Sequence, residues 1–352
     1  MNDRGVMRIV EWFSGIGGVA EAIRQASLPM RTVAAIDIDQ EAAETYEFNF
    51  GLKPEIRTIE SLSSDRIWEW ADAADCWWLS PPCQPYCIRS QSTRASQPQI
   101  ATRSSEQDAR GKALRRLIRF LEDDIGDVPN HRLPRYIILE NVPLFLDSPD
   151  SNRLMSALSA IGYNVTRHLI CPSQLGIPNR RLRAYVIASK GAMPMAWNQA
   201  EFESDAHRCG PLLNYLNDHV DGSFRVANER VARFRGAMSI VDRSDPKTIT
   251  ACFTSAYGRS AIRSGSYLRE IGGDLRLFTP PEVARLLGFG EDFCFPGKIG
   301  CRRRWKLLGN SLSIWVVREV LAGVVQDFRN VLTDLDCERD ASSVRSETGV
   351  VR

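Results

Sequence analysis

Through the first 190 residues, short apolar runs alternate with segments whose apolar positions recur every three or four residues. Residues 8–13, 32–37, 76–80, 136–140 and 184–189 form such runs and predict strands. Residues 18–26, 40–50, 111–121 and 151–161 predict helices, the first with Val19, Ala22, Ile23 and Ala26 on one face and the third with arginines on its wet face. Strands alternating with helices predict an α/β fold built on a doubly wound, mostly parallel sheet.

The pattern changes after Lys190. Residues 191–223 are irregular, and residues 224–276 carry ten Lys or Arg against five acids without a readable period. A helix reappears where Thr279 caps, Pro280 occupies the first turn, residues 282–287 follow and Gly288 closes. Residues 312–328 predict a longer apolar helix, and the polar residues 334–352 read as a disordered tail.

Composition narrows the class. With 352 residues, 43% hydrophobic and 25% charged, the chain is ordinary globular material, enough for one large domain and a small one. No apolar run reaches the roughly 18 residues needed to span a bilayer, and residues 1–7 lack a signal core, so a cytoplasmic protein with no membrane contact is expected. Nine cysteines without a CxxC pair, and only four histidines, argue against a disulfide framework and a metal site. The net charge of +2 does not declare a nucleic-acid binder, but 39 of the 45 basic residues are arginine. That bias suits phosphate and base contacts, or reflects codon usage alone.

Candidate chemistry lies in the loops beside these strands. The first strand runs into Phe13-Ser14-Gly15-Ile16-Gly17-Gly18, whose glycines permit a tight turn and close approach of a ligand. Adjacent Gly17 and Gly18 break the GxGxxG dinucleotide spacing. The second strand ends at Asp37, 22 residues after Gly15, where an acid accepts hydrogen bonds from ribose hydroxyls. The alternative is a helix N-cap, for which Asp39 competes. Glu60, in Thr58-Ile59-Glu60, either meets a base amino group or is simply solvated. In Ser80-Pro81-Pro82-Cys83-Gln84-Pro85, three prolines stiffen the loop around one thiol, as a nucleophile requires. Cys87 makes a CxxxC spacing with Cys83, but the rigid prolines and missing histidine partners argue against a metal or redox pair. Glu140, in Glu140-Asn141-Val142, closes a very apolar strand. Partial desolvation there raises its pKa and lets it hold a proton near neutrality, unless it only caps a helix. Arg181 and Arg183 share one face of an extended segment; they grip a base oxygen and a phosphate, orient the Cys83 loop, or are solvated. Gly15, Asp37, Cys83 and Glu140 each follow the carboxyl end of a predicted parallel strand, and such ends share one ligand-binding edge.

Together with Gly309-Asn310-Ser311, these motifs resemble, in type and order, those of the cytosine-5 methyltransferases over about residues 8–330. The resemblance implies S-adenosylmethionine as cofactor, held by Phe13, Gly15, Ile16, Gly17, Gly18, Asp37, Ile38, Ile59, Glu60, Pro82, Asn310 and Ser311. It implies catalysis by Cys83, Glu140, Arg181 and Arg183, and substrate contacts from Gln84, Cys252, Phe253, Thr254, Tyr257 and Arg259. It also implies a catalytic domain of residues 1–190 completed by residues 276–333, and a small target-recognition domain of residues 191–275. Residues 173–179, 252–259, 276–280 and 309–312 look like the branch that methylates transfer RNA rather than DNA. Tyr86-Cys87 stands where that branch usually has Phe-Thr, and residues 90–105 are longer and richer in Ser, Gln and Arg; neither departure is expected to touch the catalytic atoms.

The chemistry so implied starts with addition of the Cys83 thiolate to cytosine C6 while Glu140 hydrogen-bonds or protonates N3. C5 then takes the methyl group, loses its proton, and Cys83 leaves. A base must be splayed out of its stack for this, at lower cost in a single-stranded anticodon loop than in a duplex. Residues 86–119, with eight Lys or Arg against two acids, and Arg302, Arg303, Arg304 and Lys306 suit a polyanion. Three rival readings are a DNA cytosine-5 methyltransferase, a catalytically idle nucleic-acid-binding homologue, and a dinucleotide oxidoreductase. The idle homologue is disfavoured by intact Cys83, Glu140 and Arg181, and the oxidoreductase by the glycine spacing and the Pro-Pro-Cys loop.

Overall fold

The computed structural model describes residues 5–87, 108–124, 133–191 and 209–347; the Ser/Arg-rich stretch 90–105 and residues 192–208 of the expected insert lie outside them. In chain order the elements are β1 (Met7–Trp12), α1 (Gly18–Gln25), β2 (Met30–Asp37), α2 (Gln40–Phe50), β3 (Glu55–Ile56), α3 (Ser64–Ala73), β4 (Cys76–Leu79), α4 (Lys112–Arg119), β5 (Tyr136–Asn141), α5 (Pro149–Ala160), β6 (Asn164–Ile170), β7 (Arg183–Ser189), α6 (Asn228–Phe234), β8 (Ser239–Asp242), β9 (Ser266–Arg269), β10 (Leu275–Leu277), α7 (Pro280–Leu287), α8 (Cys301–Gly309) and α9 (Ile314–Glu347).

Seven strands form one sheet in the order β3-β2-β1-β4-β5-β7-β6, and three form a second, β10-β9-β8. From β3 to β5 every neighbouring pair is parallel, whereas β7 runs against both β5 and β6. The chain builds outward from β1 to β3 and then returns to place β4 on the other side of β1. The carboxyl ends of β1 and β4 therefore flank a topological switch point, where open α/β sheets bind ligands. Because β7 is reversed, the segment entering it reaches that same edge, and this brings Arg181 and Arg183 beside the loops that leave β1, β4 and β5.

Every residue of β4 (Cys-Trp-Trp-Leu) and β5 (Tyr-Ile-Ile-Leu-Glu-Asn) is buried, as in a strand covered on both faces. Alternation along the strands sends Ile9, Cys76, Trp78, Tyr136 and Ile138 into a core with α1, α7, α8 and α9. Val10, Trp12, Trp77, Leu79, Ile137 and Leu139 enter the opposite core with α3, α4 and α5. Residues Cys301–Val331 contain a stretch long and apolar enough to cross a membrane; 72% of it is buried in the fold, so packing accounts for its hydrophobicity.

Three expectations change. The tail does not begin as a disordered segment at Asp334, because α9 continues to Glu347; once a helix is nucleated, extending it through residues such as Leu335, Glu338, Arg339 and Ala341 costs little. The arginines of α4 do not all face water: Arg115 binds Asp150 and the Asp108 carbonyl, and Arg116 binds the Leu62 carbonyl and Ser64. Among its described residues, the expected insert divides between two cores. Val226, Met238, Tyr267 and Leu275 make a small core of their own, yet Leu212, Val241, Phe253, Tyr257 and Leu268 belong to the main one. Its last strand ends at Leu277, two residues past the expected boundary.

One buried acid predicts a stability profile. Glu11, 1% exposed in β1, accepts hydrogen bonds from Tyr46 Oη at 2.6 Å and Thr32 Oγ1 at 2.8 Å through Oε1, while Oε2 has no partner among the described residues. Burial, opposed by the Tyr46 and Thr32 hydrogen bonds, pushes its pKa up to about 7. A raised carboxyl pKa keeps a proton on the folded state that the unfolded chain has lost, so stability falls as pH rises from about 4.5 to about 7. The decline amounts to about 3 kcal/mol. Glu11→Gln is expected to flatten that part of the profile, as read by urea unfolding between pH 5 and 7.5; a variant that declines as the parent does would refute it.

Candidate active site

The Cys83 loop is held at both ends and in the middle. Ser80 donates its backbone N–H to Trp12 at 3.2 Å and accepts Trp78 Nε1 at 2.7 Å on its hydroxyl. Asn141 Nδ2 donates to the Pro81 carbonyl at 3.1 Å, strapping this loop to the end of β5. After Cys83 the chain makes one 3-10 turn over Gln84–Tyr86, closed by Tyr86 N to the Cys83 carbonyl at 2.9 Å. Tyr86 is buried against Phe145 and donates to Asp150, which Arg115 also binds. The prolines thus work within a wider set of anchors.

Glu140, Arg181 and Arg183 line the same cavity as this loop. Arg183 Nε lies 3.2 Å from Glu140 Oε1, an ion pair off the line of a hydrogen bond, which leaves Oε1 buried without a hydrogen-bond partner among the described residues. Burial raises the Glu140 pKa, and Arg183 and Arg181 oppose the rise. Cys83 moves the other way, down to about 6: a hydrogen bond from Cys87 is the largest cause, burial resists it, Arg183 favours the thiolate, Glu140 disfavours it and Arg181 favours it. The two groups are therefore shifted toward a thiolate and a neutral acid, the pairing of states that suits a nucleophile and a proton holder.

Arg181 has another task. It is 3% exposed and donates to the carbonyls of Phe253 (3.3 Å), Gly309 (3.5 Å) and Ser311, and to Cys252 Sγ at 3.6 Å. It clamps the Cys252–Phe253 segment to the end of α8. The clamp needs Gly309, since a Cβ there would stand 2.2 Å from the Thr254 carbonyl carbon. Arg183 also reaches Cys252 Sγ, at 3.7 Å, and lines the cavity beside Glu140.

The cavity has a volume of about 470 Å³, in the range of small-molecule sites. Phe13, Gly15, Ile16, Asp37, Ile38, Ile59, Glu60, Pro82, Asn310 and Ser311 line it, together with Cys83, Gln84, Glu140, Arg181 and Arg183. Phe13 and Gly15 both have positive φ, 62° and 55°, which turns the chain sharply off β1. Asp37 accepts Gly15 N at 2.7 Å and Asp39 N at 2.8 Å, one on each oxygen, and each oxygen keeps a further acceptor site. Asp39, not Asp37, caps α2 through Ala42 N. Ile38 is 66% exposed at the cavity's edge, an apolar surface beside an acceptor.

Residues 7–326 match the family described as C-5 cytosine-specific DNA methylase. The chain belongs to that family. A Schizosaccharomyces pombe tRNA (cytosine(38)-C(5))-methyltransferase is 30% identical over 90% of this chain and 96% of that protein. The structure of the Entamoeba histolytica methyltransferase EhMeth superposes with a TM-score of 0.77 at 26% identity, over 92% of this chain and 98% of that one. The S. pombe Dnmt2 methyltransferase gives 0.75 at 27%, over 92% and 99%. Cytosine-5 methyl transfer is the family's chemistry and this chain's.

Not every residue expected at the family's site reaches it. Gly17 and Gly18 do not line the cavity; a Cβ on Gly17 would stand 2.3 Å from the Phe50 ring, and one on Gly18 3.1 Å from Leu312, so both serve close packing behind the first turn. Phe253 and Tyr257 are core residues, 1% and 2% exposed, with the Tyr257 hydroxyl donating to the Ser266 carbonyl and accepting Phe278 N. They support the Arg181 clamp from behind and offer no surface to a substrate. Thr254 is occupied with Ser264, Arg259 is exposed outside the cavity, and Cys252 contacts the two arginines. Of the second basic cluster, Arg303 is paired with Asp39 and Glu41, while Arg302 and Lys306 are exposed. Sequence reasoning missed Asn141 as a strap, although it lies inside a motif already singled out.

Proposed function

We propose that this protein transfers the methyl group of S-adenosylmethionine to C5 of a cytosine in transfer RNA, in the anticodon loop. The observation that carries the reading is one cavity shared by a thiol shifted toward its anion, a buried carboxyl oxygen with no hydrogen-bond partner among the described residues, and an arginine ion-paired with that carboxyl. A cytosine ring needs those three groups. Cys83 adds to C6, Glu140 holds a proton at N3 so that charge does not build on the ring, and Arg183 takes the neighbouring carbonyl oxygen on C2. C5 becomes nucleophilic as a result, and S-adenosylmethionine, when bound, supplies the electrophilic methyl group it takes. A base then takes the C5 proton, the electrons of that C–H bond re-form the C5–C6 double bond, and Cys83 leaves as the thiolate.

Other residues of the same cavity lining suit that cofactor. Asp37 has acceptor capacity left for ribose hydroxyls, Ile38 offers an exposed apolar side chain that suits adenine, and Glu60, on the same cavity lining, suits its amino group. Asn310 and Ser311, the latter bonded by Arg181 through its carbonyl, line the same cavity and would hold the cofactor's amino-acid end. Transfer RNA is favoured over DNA by the stretches at residues 173–179, 252–259, 276–280 and 309–312, and by the name of the 30%-identical relative. The family's description as a DNA methylase supports duplex DNA as the second reading. Incubation with labelled S-adenosylmethionine and either unmodified total transfer RNA or duplex DNA separates them. Label in transfer RNA, mapped by bisulfite sequencing to an anticodon-loop cytosine, is the expected result; label in DNA alone would overturn it.

A further inference from the structure

Arg303 stands apart from the exposed Arg302 and Lys306 of the same helix, because two carboxylates take its guanidinium. One terminal nitrogen donates to Asp39 Oδ1, and Nε lies 2.5 Å from Glu41 Oε2. Asp39 is the N-cap of α2, and Glu41 lies in its first turn. Asp39 also sets Asp37: its backbone N–H donates to Asp37 Oδ1 at 2.8 Å, while Gly15 N holds Oδ2 at 2.7 Å. Asp37, Asp39 and Ala42 line the cavity, as do Asn310 and Ser311 just past the end of α8. One side chain thus ties α8, which leads into Asn310 and Ser311, to the turn that carries Asp37. We propose that Arg303 is a positioning residue for the cofactor's ribose acceptor: gripping Asp39 and Glu41 from α8, it fixes the turn through which Asp39 holds the Asp37 carboxylate. The inference rests on the reading of this cavity as the S-adenosylmethionine site.

Asp39 Oδ1 already accepts Ala42 N at 3.1 Å as the helix cap, so Arg303 adds a charged donor to the oxygen that fixes this turn. The charge matters as well as the bond. Asp37, Asp39 and Glu41 place three carboxylates within five residues. Burial is the largest cause raising the Asp37 pKa; the N–H groups of Asp39 and Gly15 oppose it, and the charge of Asp39 adds to it. A cation on Asp39 offsets that repulsion and favours the ionised, accepting form of Asp37. The planar fork of arginine serves two carboxylates at once, whereas lysine brings the charge without the fork. A second ion pair supplies the comparison. Lys298 meets Glu44 at 2.7 Å, joining the same helix α2 to the chain ahead of α8 without touching Asp39.

The test compares Arg303→Gln, Arg303→Lys and Lys298→Gln with the parent. Calorimetric titration with S-adenosylmethionine should give a Kd about fivefold higher in Arg303→Gln, a smaller rise in Arg303→Lys and no rise in Lys298→Gln. At saturating cofactor, kcat should stay within about twofold of the parent, so the change falls on KM for the cofactor. Hydrogen exchange of the unliganded protein, read by mass spectrometry on the peptide of residues 38–46, should quicken in Arg303→Gln and not in Lys298→Gln. With the parent binding cofactor, a Kd unchanged in Arg303→Gln, or raised equally in Lys298→Gln, overturns the inference; unchanged exchange does the same. Quicker exchange in Arg303→Gln with no cofactor uptake by the parent would sink the proposed function and leave the hold of Arg303 on Asp39 standing.

Discussion

Cys83→Ala is expected to abolish methyl transfer, a loss on the order of 10⁴-fold or more, while S-adenosylmethionine still binds. The thiol supplies the bond that makes C5 a nucleophile, and nothing else in the proposed scheme raises the ring's electron density. Cofactor binding is assigned to a different wall of the cavity, Gly15, Asp37, Ile38, Ile59 and Glu60, which hangs from β1, β2 and the turn after β3. The Cys83 loop is meanwhile anchored by Ser80, Asn141 and Tyr86, none of which depends on the thiol, so the variant should fold. Calorimetric titration with the cofactor and label transfer to RNA are the two measurements. Turnover within tenfold of the parent would remove Cys83 as nucleophile; joint loss of turnover and binding would mean that the two walls are not independent.

Much of this site is legible in the chain because its residues lie where regular elements end. Apolar runs locate β1, β2, β4 and β5, and the residue after each run is a candidate by position alone. The elements that escape notice have weaker signals. Strand β6 reads Asn-Val-Thr-Arg-His-Leu-Ile and is mostly solvated at the sheet edge, so no apolar run marks it. Helix α8 opens Cys-Arg-Arg-Arg and carries its buried side, Trp305, Leu307 and Leu308, in its second half only. Long-range pairing is harder still. Arg181 reads as a surface charge or a ligand contact; its role as a clamp emerges only when the segments at Phe253 and Gly309, 72 and 128 residues away, fold against it. The same holds for Phe253 and Tyr257, which carry a family motif yet spend it on the core. A motif's recurrence signals that its residues matter and leaves open whether they touch the ligand or the scaffold that aims the residues that do.

Glu140→Gln separates proton holding from shape. Glutamine fills the same volume and can hydrogen-bond to N3, but it has no ionisable proton to share with the ring. A fall in kcat of about 10²–10³ is expected, with cofactor affinity unchanged. The pH profile carries the sharper signature. The working state pairs an ionised Cys83 with a protonated Glu140, so kcat/KM in the parent rises as pH passes about 6 and Cys83 loses its proton. It falls again as Glu140 loses its own, at a pKa that burial raises above the ordinary carboxyl value and that Arg183 and Arg181 restrain. Glutamine cannot ionise, so the variant should keep the rising limb and lose the falling one attached to this residue. A variant that keeps both limbs at near-parental rate would assign the proton at N3 to another group. One that loses the rising limb would show that Glu140, rather than Cys87 and the arginines, governs the thiol.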